Sequence, residues 1–191
     1  MNKFRLVFIV LLITLSSSAQ EIETEDQYSK LAIKLDYFGE LVLHPGFAAG
    51  VDYTLAKRKW FNLHWDSELG GYIHKWNNNA LFLQTSIGTR FITSFSAYVD
   101  INVGVGYMLS SPNGEVYSLN DQGDLTTKGR PYTSHFKPSL SLMFGWDGKR
   151  KRNIPLTIHF GIEASMQTGF NNVLLPHAAL RVGVTYQLKN R

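Results

Sequence analysis

The chain of 191 residues contains no cysteine. That excludes a disulfide scaffold, a cysteine-based zinc site, a thiol nucleophile and a lipidated N-terminal cysteine. Charge is also scarce, at 18% Asp, Glu, Lys and Arg against about 25% in an average soluble chain. Proline is limited to 6 residues while glycine reaches 16. Residues 6–15 form an unbroken apolar run, about half the ~20 residues that a membrane-spanning helix needs. With a mean hydropathy of −0.12, a bundle of membrane helices is excluded. Downstream of residue 28 there is no helical period.

The beginning of the chain reads as an export address. Lys3 and Arg5 precede the apolar run, and Ser16, Ser17, Ser18, Ala19 and Gln20 follow it. This is the order of a signal peptide, with small residues Ser17 and Ala19 before a cleavage site ahead of Gln20. The expected organisation is a signal peptide over 1–19, an acidic lead-in over 20–27 and one domain over 28–191. Removing Lys3 and Arg5 leaves 17 Lys and Arg against 15 Asp and Glu, which lowers the net charge from +4 to +2. Such a small excess gives no reason to expect a nucleic-acid partner.

What the remainder does have is period-2 alternation. Ala97, Val99, Ile101, Val103, Val105, Tyr107 and Leu109 alternate with Tyr98, Asp100, Asn102, Gly104, Gly106 and Met108. The same pattern recurs around Leu35, Val51, Trp65, Leu83, Leu142, Ile158 and Val184, giving about eight strands. Alternation alone fits either a soluble barrel with an apolar interior or a membrane barrel with an apolar exterior. Three features favour lipid. The apolar face carries no charge, whereas Lys34/Asp36 and Asp66/Glu68 share the other parity. That other face is rich in glycine (Gly50, Gly88, Gly104, Gly161, Gly183), which suits the crowded interior of an eight-stranded barrel. Aromatics (Tyr37, Tyr53, Trp60, Phe91, Phe95, Tyr107, Trp146, Tyr186) gather near strand ends, as in interfacial girdles.

The expected fold is therefore all-β, an eight-stranded antiparallel transmembrane up-and-down barrel. Short turns are expected at 56–59, 93–96 and 148–153, and outer loops at 39–45, 75–79, 111–134 and 171–176. Only 111–134 is long, and its Pro112, Asn113, Gly114, Asp121, Gly123 and Gly129 mark it as a loop.

A signal segment followed by about eight such strands resembles the small outer-membrane β-barrel family of Gram-negative bacteria, over roughly 28–189. Within the last strand, Arg181-x-Gly183-x-x-Tyr186-x-Leu188 is similar to the signal that the barrel assembly machinery reads. Asn102, Gly104, Tyr107 and Leu109 repeat the pattern. The chain departs from the family by ending Lys189-Asn190-Arg191 instead of on an aromatic. The resemblance implies Sec-dependent export, residence in the outer membrane, contact with its lipid and lipopolysaccharide, and assembly by that machinery.

The inward parity holds Lys34, Asp36, Asp52, His64, Asp66, Glu68, Arg90, Asp100, Lys137, His159, Glu163 and Arg181. Eight strands leave an interior that side chains fill, so these charges are expected to compensate one another. The alternative is a narrow ion or small-solute path. No cofactor is expected. His64, Glu68, His159 and His74 are possible metal ligands, with satisfied interior histidines as the simpler reading. A lipid-modifying enzyme would need a nucleophile beside a base, and the lipid face offers only Ser67, Thr85 and Thr89, without histidine or carboxylate. Rim residues His44, His135 and His177 stand near outer loops. The long loop carries Tyr117, Lys128, Arg130 and Tyr132 as candidate contacts for a protein partner or for lipopolysaccharide phosphates. The role expected is non-enzymatic: structural, accessory or surface-interacting.

Overall fold

The computed structural model describes residues 28–190 apart from 76, 77, 116, 121, 128, 130, 131, 171 and 172. The signal segment and the whole of the lead-in thus lie outside the described residues. The barrel strands are β1 (Tyr28–Glu40), β2 (Gly46–Lys57), β3 (Phe61–Ile73), β4 (Asn78–Ile92) and β5 (Ala97–Pro112), then β8 (Thr133–Asp147), β9 (Leu156–Phe170) and β10 (Val173–Lys189). Two short strands, β6 (Tyr117–Leu119) and β7 (Leu125–Thr127), pair with each other between β5 and β8. The eight long strands close in the order β1-β10-β9-β8-β5-β4-β3-β2, all neighbours antiparallel. Closure leaves no free sheet edge, the condition for a sheet to stand in hydrocarbon.

Strand lengths run from 12 to 17 residues. At ~3.3 Å per residue and a tilt of ~40°, fifteen residues rise about 38 Å, more than the ~25 Å apolar band of such barrels. The strands therefore project beyond the apolar band into the headgroup regions.

Side-chain polarity decides between the two barrels that alternation allows. Ile33, Leu35, Leu69, Leu83, Ile87, Val103, Leu140, Ile162 and Val182 are exposed on the outside. Asp36, Asp52, Asp66, Glu68, Asp100, Lys137, Glu163 and Arg181 are buried inside. This is the transmembrane polarity. The Thr85 hydroxyl on the apolar face finds partners within the sheet: Trp65 Nε1 donates to Thr85 Oγ1 at 2.7 Å, and Thr85 Oγ1 donates to the Asp66 carbonyl at 3.2 Å. Aromatic groups mark the short-turn end, where Trp60 stacks on Phe91 at 6.1 Å.

The connections differ from expectation in four places. Residues 173–176 belong to β10 rather than to the expected loop 171–176, and Val173 pairs with Phe170. The register shifts between Val173 and Leu175, just before Pro176, the kind of irregularity found where the ladder lacks a donor. Loop 39–45 is shortened because β1 runs through Glu40 and then bridges back to His44. Loop 111–134 is structured by the β6–β7 hairpin, whose turn is closed by Asn120 Oδ1 accepting from the Gln122 and Asp124 amides. The turn at 148–153 contains a single helical turn, α1 (Lys149–Arg152), ended by Asn153 in the left-handed conformation at φ 56°.

Val103 sits mid-strand on the lipid face between Ile87 and Leu140. Val103→Arg is expected to lower unfolding free energy in lipid vesicles by about 2–4 kcal/mol, measured by denaturant titration. A change within error would argue against lipid contact there.

Candidate functional site

The interior is built in layers along the barrel axis. The outermost is apolar: Phe38, Ala48, Tyr72, Ala80, Phe82, Met108 and Ala179 form a buried cluster. Phe38 meets Phe82 at 5.0 Å and Tyr72 at 6.1 Å. Their parity is inward, but the charges on the same face draw attention away from them. Parity and charge alone thus imply a polar interior, and the apolar cap is an addition that only the structure shows.

Beneath it lies the main ion cluster. Arg181 on β10 makes a fork to Glu68, with Nη1 donating to Oε1 at 2.7 Å and Nη2 to Oε2 at 2.5 Å. Nη1 also donates to Glu163 Oε2 at 2.7 Å, and Nη2 to Asp36 on the adjoining β1. Lys137 Nζ donates to Glu163 Oε1 and Gln84 Oε1, each at 2.5 Å. Lys34 donates to Asp66 and stands 3.4 Å from Glu68. His159 Nε2 reaches Asp36 Oδ1 at 2.7 Å. Lys137 and Arg181 also support the apolar cap from below, with Lys137 Nζ 4.7 Å from the Phe82 ring and the Arg181 guanidinium 5.7 Å from Phe38.

A second cluster lies nearer the short turns. Arg90 donates to Asp100 at 2.9 and 3.0 Å and to Asp52 at 3.3 Å, with its guanidinium 4.6 Å from the Tyr98 ring. His64 Nε2 lies 2.9 Å from Asn102 Oδ1, and Asn102 donates onward to Ser141 at 3.1 Å. Lys149 of α1 closes this mouth by donating to Gln187 Oε1 at 2.6 Å. Burial pushes the Lys149 pKa below the usual lysine range.

Close approach at two glycines permits these contacts. A Cβ at Gly183 would stand 2.7 Å from His159 Nε2 and press on Asp36, while one at Gly88 would meet His64 and Asn102. Between the two clusters lies a cavity of about 20 Å³ lined by Lys34, Glu68, Asn102, Ser141 and Arg181, among others. It has room for about one water.

The outer rim holds a third group. Among the described residues, Glu40, His44 and His74 are the one set of three metal-ligating side chains that converges. His74 is therefore separated from His64 and His159, with which the sequence reading grouped it as a possible metal set. The latter two are committed to the interior clusters. Of the rim histidines, His177 Nδ1 donates to Glu40 Oε1 at 2.8 Å. His135 is held elsewhere: its Nδ1 donates to the Thr168 carbonyl at 2.8 Å, and Ser110 Oγ lies 3.0 Å from its Nε2. This Ser–His pair was missed because its members stand 25 residues apart, with no motif to join them. In the last strand, Arg181 and Gly183 face inward and Tyr186 outward, with Leu188 half-buried. On the long loop, Tyr117 and Tyr132 are exposed. Lys128 and Arg130 lie outside the described residues.

No protein-family model matches the sequence, and a search of curated proteins finds no match. Solved structures do match. Neisserial surface protein A aligns over 84% of this chain and 98% of its own, with TM-score 0.51 and 9% identity. The N-terminal β-barrel domain of Pseudomonas aeruginosa OprF aligns over 85% and 100%, with TM-score 0.51 and 10% identity. The outer membrane enzyme PagL aligns over 81% and 98%, with TM-score 0.50 and 10% identity. The chain has the fold of a small outer-membrane β-barrel. At these identities the likeness concerns the fold alone, and the polarity of the side chains independently gives the membrane reading.

Arg181 holds three carboxylates, so its removal strands buried charge. Arg181→Met is expected to destabilise the folded barrel by about 3–5 kcal/mol. Urea unfolding followed by tryptophan fluorescence is the measurement. An unchanged midpoint would mean that Asp36, Glu68 and Glu163 find other partners.

Proposed function

We propose that this is an outer-membrane protein that acts through its extracellular surface rather than through its lumen. The observation that carries the reading is the filled interior: an apolar cap, two ion clusters and a cavity for about one water occupy the described barrel. In this reading the signal segment over 1–19 directs Sec export and is removed before Gln20. Arg181, Gly183, Tyr186 and Leu188 then present the last strand to the barrel assembly machinery. Outer-membrane lipid and lipopolysaccharide surround the apolar belt. The loop over 111–134 meets a protein partner or lipopolysaccharide phosphates, using Tyr117, Lys128, Arg130 and Tyr132. Its hairpin supports this role, because an ordered projection costs less conformational entropy on binding than a free coil. The Tyr117 hydroxyl donates to Glu115 at 2.7 Å, which raises its pKa above the ordinary tyrosine range.

A second reading rests on Ser110 and His135. The Thr168 carbonyl requires the proton on His135 Nδ1, which leaves Nε2 to accept from the serine, the tautomer of a general base. Against it, both residues are buried on the inside of the wall, away from lipid acyl chains, and a carbonyl occupies the place of the orienting carboxylate.

Cells expressing the wild type are expected to retain partner molecules, or to bind lipopolysaccharide, in a manner lost on deleting residues 113–130, with the barrel still folded. Purified wild type is expected to be silent in planar bilayers, and Ser110 to resist fluorophosphonate labelling. Discrete conductance steps sensitive to Arg90 or Glu68 substitution would instead favour the channel, and Ser110 labelling the enzyme.

A further inference from the structure

We propose that the outer rim carries a binding site for a divalent transition-metal ion, formed by Glu40, His44 and His74. The proposal does not depend on the surface-interaction reading. One ligating atom from each residue lies within 4.8 Å of the others. The His44 and His74 rings are stacked with centroids 3.4 Å apart. On a tetrahedral zinc with Zn–N of ~2.0–2.1 Å the centroids of two bound imidazoles stand roughly 5 Å apart, so binding would splay the two rings out of this stack.

The electronic demand of the site points to a bound cation. Glu40 is 3% exposed, and its Oε2 is buried without a hydrogen-bond partner among the described residues. His74 Nδ1 is likewise buried and unpartnered. A buried carboxylate oxygen and a buried imidazole nitrogen left open beside each other are costly. A cation held by Glu40 Oε2 and His74 Nδ1, with a nitrogen of His44 turned toward it, would satisfy both open groups.

The surroundings hold the three in place. Glu40 Oε1 accepts from His177 Nδ1 at 2.8 Å, and His177 Nε2 lies 3.0 Å from the Gln167 amide oxygen, so the carboxylate is oriented from behind. The His74 carbonyl accepts from Asn113 Nδ2 at 2.7 Å. His44 is returned to Glu40 by a turn in which Leu41 and Val42 both adopt positive φ, 48° and 69°. A β-branched residue there is strained, a conformation that persists where its surroundings over-determine it. Two imidazoles and one carboxylate are a zinc-type set, with a fourth position left for water or an outside ligand. The bound ion would clasp the β1–β2 loop to the end of β3.

The test is a titration of the full chain, folded in detergent micelles, with zinc chloride by calorimetry and with cobalt(II) by visible absorption. The expected result is one ion per barrel, with the intense cobalt bands of four-coordinate geometry. His74→Ala and Glu40→Gln are expected to weaken binding by more than the about 10–100-fold that loss of an outer-shell partner costs, and His177→Ala to fall within that window. Heat-dependent gel migration shows whether each variant is folded, and His44→Gln replaces any variant that is not. Failure of the folded wild type to bind zinc more tightly than about 1 mM would overturn the proposal. So would unchanged affinity in a folded His44/His74 double variant.

Discussion

A sheet in hydrocarbon has to pair every backbone group within the protein, and here the pairing is completed where β10 meets β1. Ile33 to Glu40 run against Tyr186 to Ala179 without a break in register. The same seam is fastened by side chains, since Arg181 of β10 donates to Asp36 of β1. Arg181 then reaches Glu68 on β3 and Glu163 on β9, so one guanidinium ties first, third, ninth and tenth strands together. Closure of the sheet creates the narrow interior, and the narrow interior forces the charges into contact. Six carboxylates (Asp36, Asp52, Asp66, Glu68, Asp100, Glu163) there face four cations (Lys34, Arg90, Lys137, Arg181), with His64 and His159 against two of the acids.

The layers separate tasks along the axis. The ion clusters give the barrel a single arrangement of partners, because the bidentate Arg181–Glu68 fork tolerates little displacement. The aromatic cap covers them from the outer side, and its rings rest on Lys137 and Arg181. At the other mouth a single helical turn places Lys149 across the opening. With the lumen occupied, chemical variety is left to the outer rim and its loops. There the backbone is strained, histidines gather and a hairpin stands beyond the barrel.

The neighbours by fold include proteins with different roles on one scaffold, among them an enzyme and a surface protein. One fold thus carries different roles, which side chains rather than the scaffold set.

The strand count, the inward and outward faces and the location of the long loop were legible in the sequence. A two-residue period encodes all three directly: Val103 and Asp100 differ in parity, so they face lipid and lumen wherever the strand sits. Parity carries no information about height or partner. Asp36 and Arg181 are 145 residues apart, and only the shear of the closed barrel brings them level. The same holds for His74, which the strand face groups with His64 but which its height at the rim delivers to Glu40 and His44. Phe38, Tyr72, Phe82 and Met108 become a cap because they share one level, not because they share a sequence pattern. The sequence by itself determined which way each side chain faces, through the fixed geometry of the strand. The tertiary structure decided which side chains meet, because pairing across a closed barrel is set by register around the whole ring.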